Sequence, residues 1–299
     1  LRRAASDVYK RQLYAIQALN ALSFSVLLLL TGLGLTLVLS LMNFINLAHG
    51  SLYLLGSYVA VAWLAAGWPW WLAAPAAFAA AALAGWLLDR FPFGRFYARP
   101  HLMQVLLTYG LSVIFADLMR WGFGAETVTP ALPELLSGVV FVLDFPFPLY
   151  RLVLIGVGLS LALGLWWLVE RTLWGALLRA CVSDRGVVET LGLNTRRVLT
   201  VALVLAAGLG GLSGALGAGM LSAYPGLDEE VLLLALLVVV TGGLGSFGGT
   251  VAGALVLGFV VTFARMWWPE FANVATYVCI VALLMARPMG LSGRRLREI

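Results

Sequence analysis

Charged residues are scarce in this chain, which has 299 residues of which 11% are Asp, Glu, Lys or Arg. An average soluble domain has about 25%. Lys10 is the only lysine, and His49 and His101 are the only histidines. The sequence therefore offers no P-loop lysine for ATP and no metal-ligand spacing. We predict a protein without a catalytic site, cofactor or metal.

Cysteine is also rare. Cys181 lies in a charged segment and Cys279 lies in an apolar run. Because these surroundings place the two thiols far apart, we expect no disulfide bond.

Long apolar runs are abundant, since 62% of the residues are hydrophobic. A membrane-spanning helix needs about 20 mostly apolar residues, and the runs are continuous rather than alternating. We predict an all-α, polytopic transmembrane helical bundle with about 8 to 10 helical segments. Residues 13–299 are expected to form one domain. Residues 1–12, which have neither an initiator Met nor an apolar signal region, are expected to be a non-native leader.

The arrangement of the basic residues predicts topology rather than nucleic-acid binding. Beyond residue 12 most arginines cluster in three segments: Arg90, Arg95 and Arg99; Arg171, Arg179, Arg185, Arg196 and Arg197; and Arg287, Arg294, Arg295 and Arg297. The positive-inside rule places these segments and the C-terminus in the cytoplasm. Acidic residues, which fit an outside location, occupy the loops between them: Glu126, Glu134, Asp144, Asp228, Glu229, Glu230 and Glu270. If residues 1–12 are native, their basic side chains favour a cytoplasmic N-terminus as well.

Two apolar elements, at 37–67 and 231–261, are each interrupted by polar residues or glycine. Paired interrupted helices in the two halves of a transporter indicate a substrate site near the middle of the membrane. Residues 13–48 are expected to form two short helices or one broken helix.

The first interruption contains Asn43, Asn46, His49 and Gly50. Asn and His are costly in a bilayer, so a polar lining for a small substrate is one interpretation. The alternative is that these side chains satisfy a helix end or bond to a neighbouring helix.

The second interruption contains Thr241, Gly242, Gly243, Gly245 and Ser246. The glycines allow a chain reversal, and the following helix would point its N-terminal amides at a carboxylate. Close helix packing without a ligand is the alternative. The glycines at 208–219 are expected to pack helices.

The charged stretch 170–197 lies between two apolar runs. Its periodicity predicts two short amphipathic helices with a break at Asp184 and Arg185 and a stop at Gly192. Such a pair either lies on lipid headgroups or docks into a groove of a partner protein.

Four motifs carry a family resemblance. They are Arg179-Ala180 with Asp184 and LGLNTRRV, then NLAHG at 46–50, GGLGSFGGTVAG at 242–253 and ARPMGLSG at 286–293. In order and spacing the chain resembles the inner-membrane permeases of branched-chain amino-acid ABC importers, and the H-type permease in particular. Leu47, Asn43 and Gly248 depart from the usual residues of that family.

The resemblance implies a multi-pass permease of the bacterial inner membrane that carries hydrophobic amino acids from periplasm to cytoplasm. The implied partners are a second, M-type permease subunit, two cytoplasmic ATP-binding subunits, a periplasmic binding protein and membrane lipid. The residues that match the family's coupling segment are Gly175, Arg179, Ala180, Asp184, Arg185, Glu189 and Gly192.

Three other hypotheses stay open. Permeases for urea or short amides resemble this family closely. A stand-alone secondary carrier or channel would need no ATPase, although the apparent absence of acidic and basic residues deep in the membrane argues against one driven through carboxylates. A membrane scaffold without transport activity is the third.

Overall fold

The computed structural model describes residues 2–42, 46–96, 99–142 and 145–292. Asn43 lies outside the described residues. The helices are α1 Arg2–Met42, α2 His49–Ala65, α3 Ala73–Leu88, α4 Gly94–Phe96, α5 His101–Phe123, α6 Glu134–Ser137, α7 Leu149–Arg171, α8 Leu173–Ser183, α9 Arg185–Thr190, α10 Thr195–Leu221, α11 Leu227–Gly242, α12 Phe247–Trp267 and α13 Ala272–Ala286. Short 3-10 helices span Trp70–Leu72 and Pro269–Phe271, and a π-helical turn spans Asp89–Phe93.

Seven helical segments in the described part of the chain are long and apolar enough to cross a membrane. They are Arg11–Ser40, Trp70–Phe96, His101–Phe123, Leu149–Arg171, Thr195–Leu221, Phe247–Trp267 and Pro269–Ala286. The apolar helices α2 and α11 are shorter, with 17 and 16 residues. Together these elements confirm the predicted polytopic helical bundle.

Helix α1 is continuous as far as Met42, so residues 13–42 do not form the two short helices that were one expectation for residues 13–48. Its polar side chains are satisfied within the helix, since Thr31 Oγ1 and Ser40 Oγ donate to carbonyls one turn earlier. Gly32 and Gly34 do not interrupt it because they lie against side chains of neighbouring helices. The interruption begins only after Met42.

Helix α1 is largely buried, and its contacts fix the direction of its neighbours. It runs antiparallel to α10, because Thr31 lies 2.6 Å from Ser213 while Gly34 approaches Ala206. It runs antiparallel to α12 as well, since Thr36 lies 2.7 Å from Thr250 and the ring of Phe24 lies 5.9 Å from the Arg265 guanidinium.

These directions define two faces of the bundle. One face is here named the coupling face, because it holds α8 and α9 of the segment 170–197 that is expected to be the coupling segment. It also holds the end of α1, the turn after α3, the break after α11 and residues 287–292. The opposite face holds the links 66–72, 124–148, 222–226 and 268–271. The start of α1 lies at the opposite face, so the described packing contradicts the preference for an N-terminus on the same side as segment 170–197. Long-range hydrogen bonds, rather than the basic residues at the start, set this direction.

The link 124–148 connects α5 to α7. It contains α6 and an antiparallel hairpin of β1 Val139–Val142 and β2 Phe145–Pro148. Phe147 of this hairpin is buried. Val128 exchanges two backbone hydrogen bonds of 2.8 Å with Ala223, which attach the link to the end of α10. The strands were not predicted.

Candidate functional site

The coupling segment 170–197 folds as the two short helices that the sequence predicted, α8 and α9. Thr172 caps α8, where its side chain accepts a hydrogen bond from the Gly175 amide at 3.2 Å. A Cβ at Gly175 would collide with the carbonyl oxygen of Val169. Gly175 therefore allows the sharp corner between α7 and α8.

Asp184 separates the two helices and caps the second one, because its Oδ1 accepts from the Val187 amide at 3.0 Å. Gly192 has a φ of 79° and ends α9, as predicted. Its amide donates to the Glu189 carbonyl at 3.0 Å. Only glycine adopts this conformation readily. Asn194 then caps α10 through the Arg197 amide.

Glu189 holds this arrangement together. Its Oε1 accepts hydrogen bonds from Thr195 Oγ1 at 2.5 Å and from Arg185 Nε at 3.1 Å. These two bonds lower the pKa of Glu189, with Thr195 contributing most. The lowered pKa shows that both donors favour the ionised carboxylate over its protonated form.

One side of the segment is anchored and the other is free. Leu178, Cys181 and Val188 are buried, and burial raises the pKa of the Cys181 thiol. The outward side, here named the docking face, consists of exposed apolar and charged side chains: Leu173, Arg179, Ala180, Val182, Arg185, Val187, Glu189 and Leu191. Leu173 is 86% and Leu191 is 72% exposed, so the apolar side chains of this face have no cover within the described chain.

The docking face is tied to the membrane helices at both ends. Arg179 donates to the Val169 carbonyl of α7 and lies 3.6 Å from Glu170. Thr195 of α10 donates to Glu189 of α9 over 2.5 Å. Further along α10, Thr200 donates to Asp89 at the end of α3 over 2.6 Å. These bonds connect the segment to α7 and α10, and α10 in turn connects to α3.

The first interruption is buried in the bundle. Asn46 and His49 are each 1% exposed. Asn46 Oδ1 accepts from the Ala48 amide, and the His49 ring lies 3.2 Å from the Thr31 carbonyl of α1. His49 Nδ1 has no hydrogen-bond partner within the described residues. Both side chains thus form hydrogen bonds with backbone groups, and His49 Nδ1 remains without a partner within the described residues.

The second interruption lies at the coupling face. Thr241 and Gly242 end α11, Gly243 and Gly245 have positive φ, and Ser246 caps α12 through the Gly249 amide. Residues 291 and 292 cover this break, because the Leu291 and Ser292 amides donate to the Thr241 and Gly242 carbonyls at 2.9 and 3.0 Å. Among the α12 amides expected to meet a ligand carboxylate, that of Gly249 already donates to Ser246 Oγ at 3.1 Å.

The two interruptions have different surroundings. His49 lies against Thr31, Gly34 and Gly210, whereas Gly245 approaches Ser40 near the end of α1. The glycines at 208–219 pack helices as expected, since Cβ atoms at Gly211 and Gly214 would collide with Ala77 or Ala81 of α3 and with the Tyr53 backbone of α2.

Sequence reasoning missed Asp228. It was expected in an exposed acidic loop, but it lies in the first turn of α11 and is 4% exposed. The interior of the bundle therefore does contain a carboxylate, contrary to the sequence argument. Its neighbours Glu229 and Glu230 are exposed as expected. No local sequence signal distinguishes Asp228 from Glu229 and Glu230, because tertiary packing alone decides which of the three side chains is buried.

Curated relatives resemble this chain over nearly its whole length. LivH of Escherichia coli (strain K12), a high-affinity branched-chain amino acid transport system permease protein, is 26% identical over 94% of this chain and 96% of the relative. BraD of Pseudomonas aeruginosa, which has the same description, is 27% identical with the same coverage. A probable LivH of Methanocaldococcus jannaschii is 25% identical over 92% of this chain and 91% of the relative.

Among solved structures, PsaBC from Streptococcus pneumoniae in complex with Fab matches with a TM-score of 0.51 and 10% identity, covering 89% of each chain. This likeness concerns the fold alone. The family model described as branched-chain amino acid transport system / permease component matches residues 17–286. The chain therefore belongs to the family of permease components of branched-chain amino acid transport systems.

Proposed function

We propose that this permease forms the path by which branched-chain or other hydrophobic amino acids move from the periplasm to the cytoplasm, as a subunit of an ABC importer. The relatives named above are described as permeases for such substrates. The chain has no P-loop lysine, so the ATP-hydrolysing sites belong to partner subunits and this subunit is non-catalytic.

The docking face is the observation that carries this proposal. A helix that lies on anionic headgroups is rich in Lys and Arg on its polar side. The docking face instead mixes Arg185 with the acidic Glu189 and surrounds them with Val187 and Leu191, all exposed. Apolar side chains beside charges of both signs fit a groove on a protein, which supports two ATP-binding subunits as the partners of this face and of its counterpart on a second permease subunit.

The anchoring contacts give the coupling mechanism. When the ATPases close on ATP, they displace α8 and α9 as a unit. The bond from Arg179 to Val169 carries the displacement to α7, and the bonds through Thr195 and Thr200 carry it to α10 and α3. Because α10 packs against α1, α2 and α3, this movement switches the path between outward-facing and inward-facing states.

The proposed assembly contains an M-type permease as the second membrane subunit and a periplasmic binding protein on the opposite face. The coupling face and the C-terminus lie in the cytoplasm, consistent with the arginine clusters. Membrane lipid contacts α5 and α13, whose span windows are only 11% and 17% buried.

A charge reversal tests the docking. Arg185→Glu combined with Glu189→Arg preserves an i,i+4 ion pair but inverts the charges seen by a partner. We expect ATP-driven uptake of labelled leucine by the reconstituted importer to fall at least about tenfold, because like charges then meet at the interface.

The matched control reverses the exposed pair Asp117 and Arg120 on α5, which are 3.4 Å apart near the opposite face. This control should leave uptake and co-purification of the ATPases unchanged. If the double variant at 185 and 189 also assembles and transports normally, the docking assignment is wrong.

A secondary carrier makes a different prediction. Purified alone in liposomes, such a protein would accumulate substrate in response to a proton or sodium gradient. We expect no accumulation until the ATPases, the second permease and the binding protein are supplied together with ATP.

A further inference from the structure

Asp228 is the acidic residue that the proposed mechanism leaves unused. Its carboxylate is buried, with 4% exposure. Oδ2 accepts a hydrogen bond from Ser51 Oγ at 3.3 Å, which is long for a hydroxyl donor. Oδ1 has no hydrogen-bond partner within the described residues. The group is therefore only weakly satisfied by the protein.

Two helix N-termini converge on this carboxylate. Asp228 lies in the first turn of α11, and Ser51 lies in the first turn of α2, whose N-cap Ala48 provides no side-chain cap. The positive ends of both helix dipoles are therefore complementary to a carboxylate at this place. None of the salt bridges found among the described residues includes Asp228. A buried carboxylate with one unpartnered oxygen is suited to bind a cation.

The carboxylate also lies at the contact between the short helices of the two interrupted elements. The Gly50 backbone packs against the Asp228 carbonyl so closely that any Cβ would collide with it. Tyr58 belongs to the same buried cluster as Leu227 and Val231, and its hydroxyl lacks a partner within the described residues. This contact between α2 and α11, here named the α2–α11 seam, is polar and closed.

A hydrogen bond between Ser51 and Asp228 that only holds α2 and α11 together explains fewer of these observations than a ligand site does. It accounts for one carboxylate oxygen and leaves the other buried without a partner, which is costly. It also leaves the Tyr58 hydroxyl without a partner. A small polar ligand that enters as the seam opens would satisfy the free carboxylate oxygen.

We propose that Asp228, assisted by Ser51, binds the ammonium group of the amino-acid substrate when α2 and α11 separate during transport. This inference rests on the proposed function. An ammonium group brings a positive charge and three donors, which match the free carboxylate oxygen and the Ser51 hydroxyl oxygen. Urea and short amides carry no positive charge, so the site selects amino acids over them.

The test uses the complete importer in proteoliposomes, with labelled leucine and loaded binding protein. The variant is Asp228→Asn, which keeps the size of the side chain and removes its charge. The matched control is Glu229→Gln, the same change at the exposed neighbour. The measured quantity is leucine translocated per ATP hydrolysed, with the thermal melting temperature of each complex recorded beside it.

We expect Asp228→Asn to lower leucine per ATP at least about tenfold, as for the loss of one charge-assisted hydrogen bond, while Glu229→Gln stays near wild type. Asp228→Glu should keep part of the coupling because it keeps the charge. Ser51→Ala, which leaves the carboxylate in place, should cause a smaller loss.

An unchanged ratio of leucine to ATP in Asp228→Asn would overturn the assignment. If uptake and ATP hydrolysis then fall together and the melting temperature is lower, the contact between Ser51 and Asp228 is purely structural. The wild-type complex tests the proposed function separately. If that function is wrong, the wild-type complex transports no leucine when ATP is supplied, whatever the variants do.

Discussion

At the scale of single residues, glycines decide how closely α2 and α10 approach. A Cβ at Gly56 would collide with the backbone of Gly211, and a Cβ at Gly214 would collide with the Tyr53 carbonyl. Backbone contact of this kind is how small residues join helices in membranes. The sequence predicted that the 208–219 glycines pack helices, but their partners on α2 and α3 depend on the fold.

Gly56→Ala should therefore destabilise the protein. We expect a loss of about 1–3 kcal/mol, typical of overpacking a close contact, measured by thermal melting of the detergent-solubilised complex. The control is Gly156→Ala on α7, where nothing lies within 4 Å. Equal melting temperatures for both variants would contradict the close approach of α2 and α10.

The buried polar residues show the limit of sequence reasoning at this scale. Asn46 and His49 are conspicuous in an apolar run, and both are buried as that pattern suggested. Asp228 is one of three consecutive acids, and sequence alone gives no reason to separate it from Glu229. Asp228 differs from Glu229 in its contact with Ser51, which lies 177 positions away along the chain.

At the scale of elements, the coupling segment was predictable because its signals are local. Asp184 and Asn194 cap the helices that follow them, and Gly192 ends α9, all within a few residues. The direction of α1 and the cover over the second interruption were not predictable. They depend on contacts such as that between Thr36 and Thr250, which are distant in sequence.

Asp184→Ala should loosen α9, since loss of an N-cap costs about 1 kcal/mol. Hydrogen–deuterium exchange in residues 185–190 of the assembled importer should become faster. Asp184→Asn is the matched control, because Asn still accepts from the Val187 amide. Unchanged exchange in the alanine variant would show that partner contacts, rather than the cap, hold α9.

Gly290→Ala should disturb the cover over the second interruption. Gly290 has a φ of 76°, and its Cβ would lie 2.6 Å from the Gly243 nitrogen. We expect about 1–3 kcal/mol of strain and faster exchange at residues 241–249.

Gly248→Ala in the same region, with nothing within 4 Å, should have no such effect. If exchange at 241–249 stays slow in Gly290→Ala, the C-terminal segment does not stabilise the break.

At the scale of the whole molecule, the fold separates a basic coupling face from an opposite face that carries exposed tryptophans such as Trp71, Trp121 and Trp268. Aromatic side chains of this kind lie at membrane interfaces. Composition predicted the helical bundle, and the arginine clusters predicted which links share a face. The start of α1 was the exception, because its position follows from packing against α10.

Cysteine labelling tests this arrangement. In a variant with Cys181 and Cys279 replaced, Leu191→Cys on the docking face should react with an impermeant maleimide only from the cytoplasmic side. Leu135→Cys, at a position with 67% exposure on the opposite face, should react only from the periplasmic side. Labelling of both from one side would refute the topology.

The hydrogen bonds from residues 291 and 292 to Thr241 and Gly242 also set an order in time. A ribosome delivers these amides after it has completed α11 and α12. The two helices therefore enter the membrane before the carbonyls at the end of α11 can find their partners. During synthesis, the break between α11 and α12 is among the last parts of the coupling face to mature.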